Sequence, residues 1–443
     1  MEQRDLIVTP IVIFLVLAGA YAVRPRFTDE VTRKYFFPAL LVKIFGALAL
    51  GFIYQYYYSG GDTYNFHTHG SRHIWEAFWD DPTKGFKLLF GSADPAAGVY
   101  KYSSRIIFFN DPNSYFVVRV AAFFDLITFS AYSATAVFFA TVGFAGGWLL
   151  FQTFYQQYPQ SHRGLALACL FIPSVFFWGS GVLKDTLVLA ALGVSTFCFY
   201  KIVLNREPTL SNFVFLLLSL FVVYSIKKFV LQAYLPALVI LLFGTRISQF
   251  RSTAAKILLI PGVIMVTFFS GYYAVVKIGE GDNRYAIDRL ALTAQTTAYD
   301  IRYWTGRDAG SGYTLGELDG SFESMIRLAP AAINVTLFRP YLWEVKNPLM
   351  LLSSLESLAL MLFSLYLLVR VNIWLPRYLG NIHLLFCLVF SLSFAFAVGV
   401  STFNFGTLSR YKIPMLPFFM IALVLILDHA NRLRKFRSLA NTE

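Results

Sequence analysis

The chain has 443 residues, of which 57% are hydrophobic and 14% are charged, and its formal net charge is +12. An ordinary soluble domain carries about 25% charged residues, and a soluble chain this apolar would expose large patches and aggregate. The composition therefore excludes an ordinary soluble protein and indicates one whose solvent is lipid. Backbone polar groups in lipid must be paired within the fold, so the spans are helices or a closed barrel. The apolar runs at Phe213–Tyr224 and Ser357–Val369 are continuous, whereas barrel strands alternate over about 10 residues, so helices are predicted.

We predict an all-α, polytopic integral membrane protein that forms a single transmembrane domain over residues 1–443. About eleven transmembrane helices are expected, or twelve if the less apolar stretch at 113–131 also spans. The first is interpreted as a retained span, because Arg24-Pro25-Arg26 follow it in place of the small residues of a signal-peptide cleavage site. The predicted spans lie near residues 6–23, 36–57, 133–157, 164–180, 183–204, 211–225, 229–246, 256–276, 349–369, 378–400 and 411–428.

The placement of Lys and Arg predicts the topology, because loops rich in these residues stay in the cytoplasm. The basic loops agree with one another if the N-terminus is outside, the C-terminus is cytoplasmic, and residues 113–157 cross once. Two long loops, at 58–113 and 277–348, are then external, and their aromatic content predicts short interfacial helices in both. The basic clusters are Arg24, Arg26, Arg33 and Lys34, then Arg246, Arg251 and Lys256, then Arg432, Arg434, Lys435 and Arg437, with weaker contributions from Arg206, Arg370 and Arg377.

Several polar motifs fall on the external face under this topology. Cations on that side oppose the positive-inside bias, and binding a phosphate or pyrophosphate is a physical reason for them to be there. The motifs are Gly60–Thr63, Ser180–Asp185, Lys227-Lys228, Arg339–Glu344 and Asn404–Lys412.

Asp62 is the candidate catalytic residue. It follows two glycines, which allow the backbone to approach a ligand closely. A carboxylate there can act as a general base or orient an acceptor. The structural alternative is an aspartate that caps a helix beginning at Thr63.

The candidate substrate-binding residues are mainly basic, and each has a structural alternative. Arg410 and Lys412 would bind phosphate or else anchor a helix at the interface. Lys184 and Asp185 would either bind phosphate or form a pair that closes a helical hairpin. Lys227 and Lys228 would either bind phosphate or extend their ammonium groups toward water. Arg339 and Glu344 would otherwise form a local ion pair. The full set is Lys184, Asp185, Lys227, Lys228, Arg339, Glu344, Arg410 and Lys412.

No cofactor and no defined metal site are predicted, although a divalent metal is left open. His67 and His69 form an H-x-H pair, but residues two apart on a helix face different sides. No phosphate-binding loop or dinucleotide glycine pattern occurs, which disfavours nucleotide use. No nucleic-acid partner is expected. The three cysteines lie in apolar runs and are expected to be buried small hydrophobes.

Three stretches resemble bacterial polytopic glycosyltransferases of the C-type (GT-C) class and the Wzy/EpsG-like polysaccharide polymerases. They are Gly60-Gly61-Asp62-Thr63-Tyr64-Asn65, the segment from Pro173 to Asp185, and the segment from Asn404 to Pro417. The resemblance implies a polyprenyl-(pyro)phosphate-linked sugar donor at the outer face of the cytoplasmic membrane. It implies that Asp62 acts on the acceptor and that Arg410, Lys184 and Lys227 or Lys228 hold the donor phosphates. Here the acidic loop follows the second predicted span, whereas in many C-type enzymes it follows the first.

The predicted function is therefore that of a glycosyltransferase or polymerase in envelope polysaccharide or glycoconjugate synthesis. Its expected partners are the lipid-linked donor, a glycan or lipid acceptor and membrane lipids, with envelope-biosynthesis proteins left open. The expected location is the bacterial inner membrane. Two alternatives remain at this stage, a transporter or flippase for lipid-linked sugars or another anion, and an assembly subunit. A transporter needs charges deep in the membrane, where the sequence offers Lys43, Asp125 and Glu356.

Overall fold

The fold is that of a computed structural model, which describes residues 2–91, 98–248, 289–304, 311–316, 319–371 and 380–440, with short stretches between 261 and 277. The described residues are helical and form no strand, apart from one isolated bridge between Gly312 and Asn404. The all-α prediction is confirmed for this part of the chain. Most of the predicted span near 256–276 lies outside the described residues, as do Arg251, Lys256 and Arg377.

The described residues cluster into two compact units. Unit 1 comprises Met1–His162 and Leu170–Lys227, and unit 2 comprises Arg163–Cys169 and Lys228–Glu443. The helices up to residue 226 are α1 Gln3–Phe27, α2 Arg33–Tyr56, α3 Asp62–Phe66, α4 Arg72–Asp80, α5 Pro82–Phe90, α6 Tyr100–Ser103, α7 Pro112–Thr128, α8 Tyr132–Gln157, α9 His162–Ala166, α10 Pro173–Trp178, α11 Lys184–Val203 and α12 Leu210–Ile226. The later helices are α13 Lys228–Ser248, α14 Leu290–Trp304, α15 Phe322–Arg327, α16 Ala329–Phe338, α17 Pro348–Val371, α18 Ile382–Ser401, α19 Phe405–Tyr411 and α20 Leu416–Ala440.

Seven of the described helices are long and apolar enough to cross a membrane, namely α1, α2, α8, α11, α13, α17 and α18. An eighth is possible if α19 and α20, which meet at a bend of 67°, form one span. A span needs about 20 apolar residues to cross a hydrocarbon core of about 30 Å. The chain is thus an all-helical protein with several helices suited to a bilayer.

Close helix packing forms the core of unit 1. Gly146 of α8 and Gly193 of α11 bring the two backbones so near that a Cβ at either position would clash with the other helix. Gly143 likewise faces Thr186. The later residue of α8, Gly146, contacts the later residue of α11, Ala190, while the earlier Gly143 contacts Thr186. The two helices therefore run parallel. Small residues are the usual means of such close approach between membrane helices.

The direction of the other helices gives unit 1 two distinct ends. Asp5 of α1 accepts a hydrogen bond from the Ser133 amide of α8 at 3.0 Å, and α2 runs the opposite way, with Gly51 beside Tyr132. The half of unit 1 that we call the Asp62 end therefore holds the starts of α1 and α8, the loop after α2, and the start of α11, where Thr186 lies beside Gly143 of α8. The other, the Arg24 end, holds the end of α1, the start of α2 and the end of α8, where Tyr155 donates to Asp29 at 2.8 Å.

Helix α7, which covers the ambiguous stretch at 113–131, begins and ends at the same end of unit 1. Asp111, at its N-cap, lies 3.5 Å from Lys184 at the start of α11. Thr128, its last residue, hydrogen-bonds Thr135 near the start of α8 at 2.7 Å. Both partners belong to the Asp62 end, so α7 lies across that end and does not run the length of the unit.

The stretch predicted as a span at 164–180 is divided into α9, a π-turn at Leu167–Phe171 and α10. The chain leaves α8 at the Arg24 end, where His162 lies 2.8 Å from Tyr35, and α11 begins at the other end. Of this stretch, Arg163–Cys169 belong to unit 2 and the residues from Leu170 onward belong to unit 1. Lys43 of α2 is buried and donates to the carbonyls of Val175 and Gly179, at 3.1 Å and 2.6 Å, which closes the C-terminus of α10.

An aromatic cluster forms the core of unit 2. Tyr234 of α13 packs edge-on against Phe390 of α18 and Phe418 of α20, at centroid distances of 5.3 Å and 6.4 Å. Helix α16 packs on α18, where Thr336 donates to the Ala395 carbonyl at 2.8 Å. This core supports the break between α19 and α20.

Candidate functional site

Asp62 is the first residue of α3 and is half-buried at the Asp62 end of unit 1. Gly60 and Gly61 precede it with φ angles of 128° and 118°, which disfavour any residue with a side chain. A Cβ on Gly61 would also strike the Tyr54 ring, and Tyr54 in turn contacts Trp178 at 6.3 Å. The first glycine-rich motif and the Trp178–Asp185 segment are thus neighbours in the fold. Asp62 lies inside the helix, with Gly61 as the N-cap, so it is not the capping residue.

Aromatic and hydroxyl contacts fix α3 in place. Thr63 and the Tyr132 hydroxyl, both buried, lie 2.7 Å apart. Tyr64 stacks on the Tyr132 ring at 4.4 Å. These contacts join the helix that carries Asp62 to the start of α8, so the carboxylate is presented by a rigid support.

A buried polar network follows α3 directly. Residues His67–Ser71 form a π-turn, a geometry that often accompanies functional sites. The Asp125 carboxylate, fully buried in α7, accepts from Ser71 and from Thr135, each at 2.6 Å. His67 places Nε2 3.3 Å from the same carboxylate. Because a buried carboxylate must be compensated, this network ties α7, α8 and the π-turn together.

Lys184 forms an ion pair with Asp111, which lies 73 residues earlier in the chain. The Lys184 ammonium lies 3.5 Å from the Asp111 carboxylate, and both side chains are partly exposed. Burial raises the pKa of Asp111, but the hydrogen bond from Ser114 and the charge of Lys184 outweigh it and hold the pKa below its usual value. The pair presents a cation to solvent beside the start of α11.

Asp185 and Lys227 form a second, buried pair in unit 1. The Lys227 ammonium, at the end of α12, donates to the Asp185 carboxylate in the first turn of α11. Both side chains are almost fully buried. This contact joins two helices, and a negative charge in the first turn of α11 also suits the helix dipole. Lys228 is the first residue of α13, half-buried, and belongs to unit 2.

Arg339 and Glu344 form a local pair in unit 2. The guanidinium donates through Nε to Glu344 at 3.0 Å and through a second nitrogen to the other carboxylate oxygen. Burial raises the pKa of Glu344, but the hydrogen bonds and charge of Arg339 lower it below its usual 4.5. Three aromatic rings surround the guanidinium, those of Tyr313, Tyr341 and Phe405, at 5.6 Å, 5.8 Å and 5.2 Å.

The Asn404–Lys412 segment packs against the same part of unit 2. Asn404 caps α19 by accepting from the Gly406 and Thr407 amides at 2.8 Å and 3.1 Å. Lys412 is buried at the break between α19 and α20 and donates to Ser357 of α17 at 3.2 Å. Ser357 itself donates to the Arg339 carbonyl at 3.1 Å. Arg410, half-buried on α19, lies over the Tyr411 ring at 5.4 Å.

The structure therefore divides the predicted residues between the units. Unit 1 carries Asp62, Lys184, Asp185 and Lys227, and unit 2 carries Lys228, Arg339, Glu344, Arg410 and Lys412. Sequence reasoning missed the partners Asp111, Ser357 and Tyr313. Asp111 offered one signal, because an Asp before Pro112 is typical of a helix N-cap.

The histidine pair does not converge on one ligand. His67 is buried against Asp125, whereas His69 is exposed. Among the residues that the structure describes, no three His, Cys, Asp or Glu side chains are grouped to hold a metal ion.

Comparison with known proteins gives this chain no relative: no protein-family model, curated protein or solved structure matches it.

Proposed function

We propose that this chain is a membrane-embedded glycosyltransferase or polymerase that uses a polyprenyl-(pyro)phosphate-linked sugar donor in envelope glycan synthesis. The observation that carries the proposal is the Asp62 end of unit 1, where a half-buried carboxylate on a rigid support shares one end of the helices with the Lys184 cation. The supporting resemblance is that of the three stretches to C-type transferases and Wzy/EpsG-like polymerases.

The proposed topology has eleven spans, with the Asp62 end external and the C-terminus cytoplasmic in a bacterial inner membrane. Arg24, Arg26, Arg33 and Lys34 all belong to the opposite end of unit 1, and the positive-inside rule assigns that end to the cytoplasm. Besides the helices long enough to span, the eleven include α12, the broken stretch at 164–180 and the segment near 256–276.

The proposed reaction transfers a glycosyl group to a hydroxyl. The acceptor oxygen attacks the anomeric carbon, the bond from that carbon to the phosphate oxygen breaks, and the acceptor proton passes to Asp62. The lipid (pyro)phosphate leaves with the bonding electron pair. A fixed cation stabilises the negative charge that develops on it, which is the role proposed for Lys184.

The other basic candidates take different roles in the proposal. Lys227 is paired with Asp185 where both side chains are almost fully buried, and Arg339 donates to both carboxylate oxygens of Glu344, so both act as supports for the helices around them. Arg410 and Lys412 keep the proposed role of phosphate binding, and Lys228 remains a candidate for it.

Turnover of polyprenyl-linked glycan by purified protein tests the proposal. General acid–base catalysis contributes about 100-fold to 10,000-fold, so Asp62→Asn should lower turnover at least about 100-fold, and Lys184→Met should lower it by a similar factor. The matched controls are Glu207→Gln and Lys201→Met, an exposed pair at the Arg24 end, which should keep wild-type turnover. Unchanged product with Asp62→Asn and Lys184→Met would refute the site.

Transport of a lipid-linked sugar or another anion is the second candidate, favoured by the bent α19–α20 pair with Lys412 at its break. Broken helices often line transporter sites. Lys43 and Asp125, however, are hydrogen-bonded within the core of unit 1, so they do not line a path. Substrate counterflow in proteoliposomes that fails with Lys412→Met, without any glycosyl transfer, would favour transport.

A further inference from the structure

Helices α4 and α5 form a hairpin in unit 1 with one strongly aromatic face. Asp81 joins the helices and caps α5 by accepting from the Thr83 amide at 2.9 Å. Gly85 lets the Phe78 ring of α4 pack directly against α5, because a Cβ there would meet that ring. The hairpin is therefore a firmly joined element.

The hairpin carries both ion pairs and exposed aromatic rings. Asp80 accepts from Lys101 at 2.6 Å, and Glu76 accepts from Arg105 at 2.8 Å. Trp79 on α4 and Phe86 and Phe90 on α5 are 67%, 55% and 73% exposed. Phe86 and Phe90 stack on each other at 6.2 Å. A monomer in water would leave this aromatic surface uncovered at a substantial free-energy cost.

Contacts with α1 fix the level of the hairpin relative to the bilayer. Arg72, at the start of α4, donates to Glu2 at 2.6 Å, and Arg4 lies over the Trp75 ring at 5.7 Å. Helix α1 begins at Gln3 and exposes Leu6 and Ile7 immediately afterwards. Because α1 is long and apolar enough to cross a membrane, the hairpin lies beside the end of a span.

We propose that the α4–α5 hairpin is a bilayer anchor, which inserts Trp79, Phe86 and Phe90 into the boundary between head groups and acyl chains at the Asp62 end. Amphipathic helices with Trp and Phe on one face bind about 5–10 Å into that boundary. Lys84 and Lys87, both on α5, supply cations for lipid phosphates. The occupant of the aromatic face is therefore lipid, and the inference does not depend on the proposed reaction.

Depth-dependent quenching of Trp79 tests the anchor. The full chain is reconstituted in nanodiscs whose lipids carry bromine near the top or near the end of the acyl chains. The Trp79 contribution is the difference in emission between the wild type and Trp79→Phe. Lipids brominated near the top of the chains should quench that contribution, lipids brominated near the chain ends should quench it less, and aqueous iodide should leave it unchanged.

Trp148→Phe is the matched control, because Trp148 is buried in unit 1 against Phe36, so its contribution should respond to neither quencher. Phe86→Ser with Phe90→Ser should shift Trp79 toward iodide quenching while circular dichroism stays unchanged. Quenching of wild-type Trp79 by iodide and not by either lipid would overturn the anchor. Protection from both quenchers would also overturn it, because it would show that protein, such as a second copy, covers the face.

Discussion

Lys227 and Asp185 place opposite charges in the core of unit 1, where each depends on the other. Removing one partner of a buried ion pair leaves an uncompensated charge and costs about 3–5 kcal/mol, whereas replacing both with apolar residues is often neutral. The partly exposed Lys184–Asp111 pair contributes much less to the free energy of unfolding, because water screens its charges.

We therefore expect Lys227→Met to lower the free energy of unfolding by about 3–5 kcal/mol. The double variant Lys227→Met with Asp185→Leu should recover most of that loss. Lys184→Met is the control and should change stability by about 1 kcal/mol or less. Unfolding of the purified protein in detergent measures all three, and a Lys227→Met variant as stable as the control would contradict a buried pair.

The Arg339–Glu344 pair should make stability depend on acid pH. The pKa of Glu344 is lower in the fold than its usual 4.5, so the pair's contribution is complete above the unfolded pKa and is lost as pH falls through the folded pKa. The melting temperature should be flat from neutral pH to about pH 5 and should fall below about pH 4. Glu344→Gln should remove this part of the acid loss, and equal pH profiles for both proteins would contradict the assignment.

Single residues were the hardest scale to predict from sequence. Arg339 and Glu344 are five apart, so their pairing was one of two readings available from the sequence. The partners of Lys184, Lys227 and Lys412 lie 73, 42 and 55 residues away. Such pairs are set by helix packing, which spacing along the chain does not reveal.

At the scale of elements, the parallel packing of α8 and α11 depends on glycine. Gly193→Ala should destabilise the protein by about 1–3 kcal/mol, because its Cβ would clash with the backbone of α8 at Gly146. Gly19→Ala is the matched control. It places the same methyl group on α1, where nothing lies within 4 Å, and should be neutral or slightly stabilising. Thermal unfolding of the two variants compares them, and equal melting temperatures would argue against the close approach.

Apolar runs predicted the positions of the long helices well, because a helix that crosses lipid needs a continuous apolar stretch. Two stretches behaved differently. Helix α7 is as long as α12, with 17 residues each, but its two ends lie beside Lys184 and Thr135 at the same end of unit 1. Pro173 starts α10 after a break at Ile172, as a proline does when it begins a new helix. The proline is visible in the sequence, whereas the placement of α7 depends on packing that the sequence does not show.

At the scale of the whole molecule, the two ends of unit 1 should face opposite sides of the membrane. Tyr57 lies at the Asp62 end and Glu30 at the Arg24 end, and both are exposed. The variants Tyr57→Cys and Glu30→Cys place one reactive thiol at each end. A membrane-impermeant maleimide should label Tyr57→Cys on intact cells and Glu30→Cys only after permeabilisation. The native cysteines Cys169, Cys198 and Cys387 are buried, which keeps the background low. The reverse labelling pattern would invert the topology and move the Asp62 end to the cytoplasm.

The division into two units was not predicted, because apolar periodicity marks helices and not which helices pack together. A shared side of the membrane puts Asp62 and Arg339 in one candidate set, whereas the packing of the helices puts them in different units. Within its own unit, Tyr64 beside Asp62 stacks on Tyr132, and Arg339 lies among Tyr313 and Phe405.

The hydrogen bonds of Lys43 have a consequence for how the protein is made. Its acceptors, the Val175 and Gly179 carbonyls, are 132 and 136 residues farther along the chain. Ribosomes add about 5–20 residues per second, so α2 exists for on the order of ten seconds before these carbonyls can accept hydrogen bonds from its lysine. Lipid offers that ammonium no hydrogen-bond acceptor during the interval. If α2 spans the bilayer as proposed, we expect it to leave the insertion machinery only after α10 has been made.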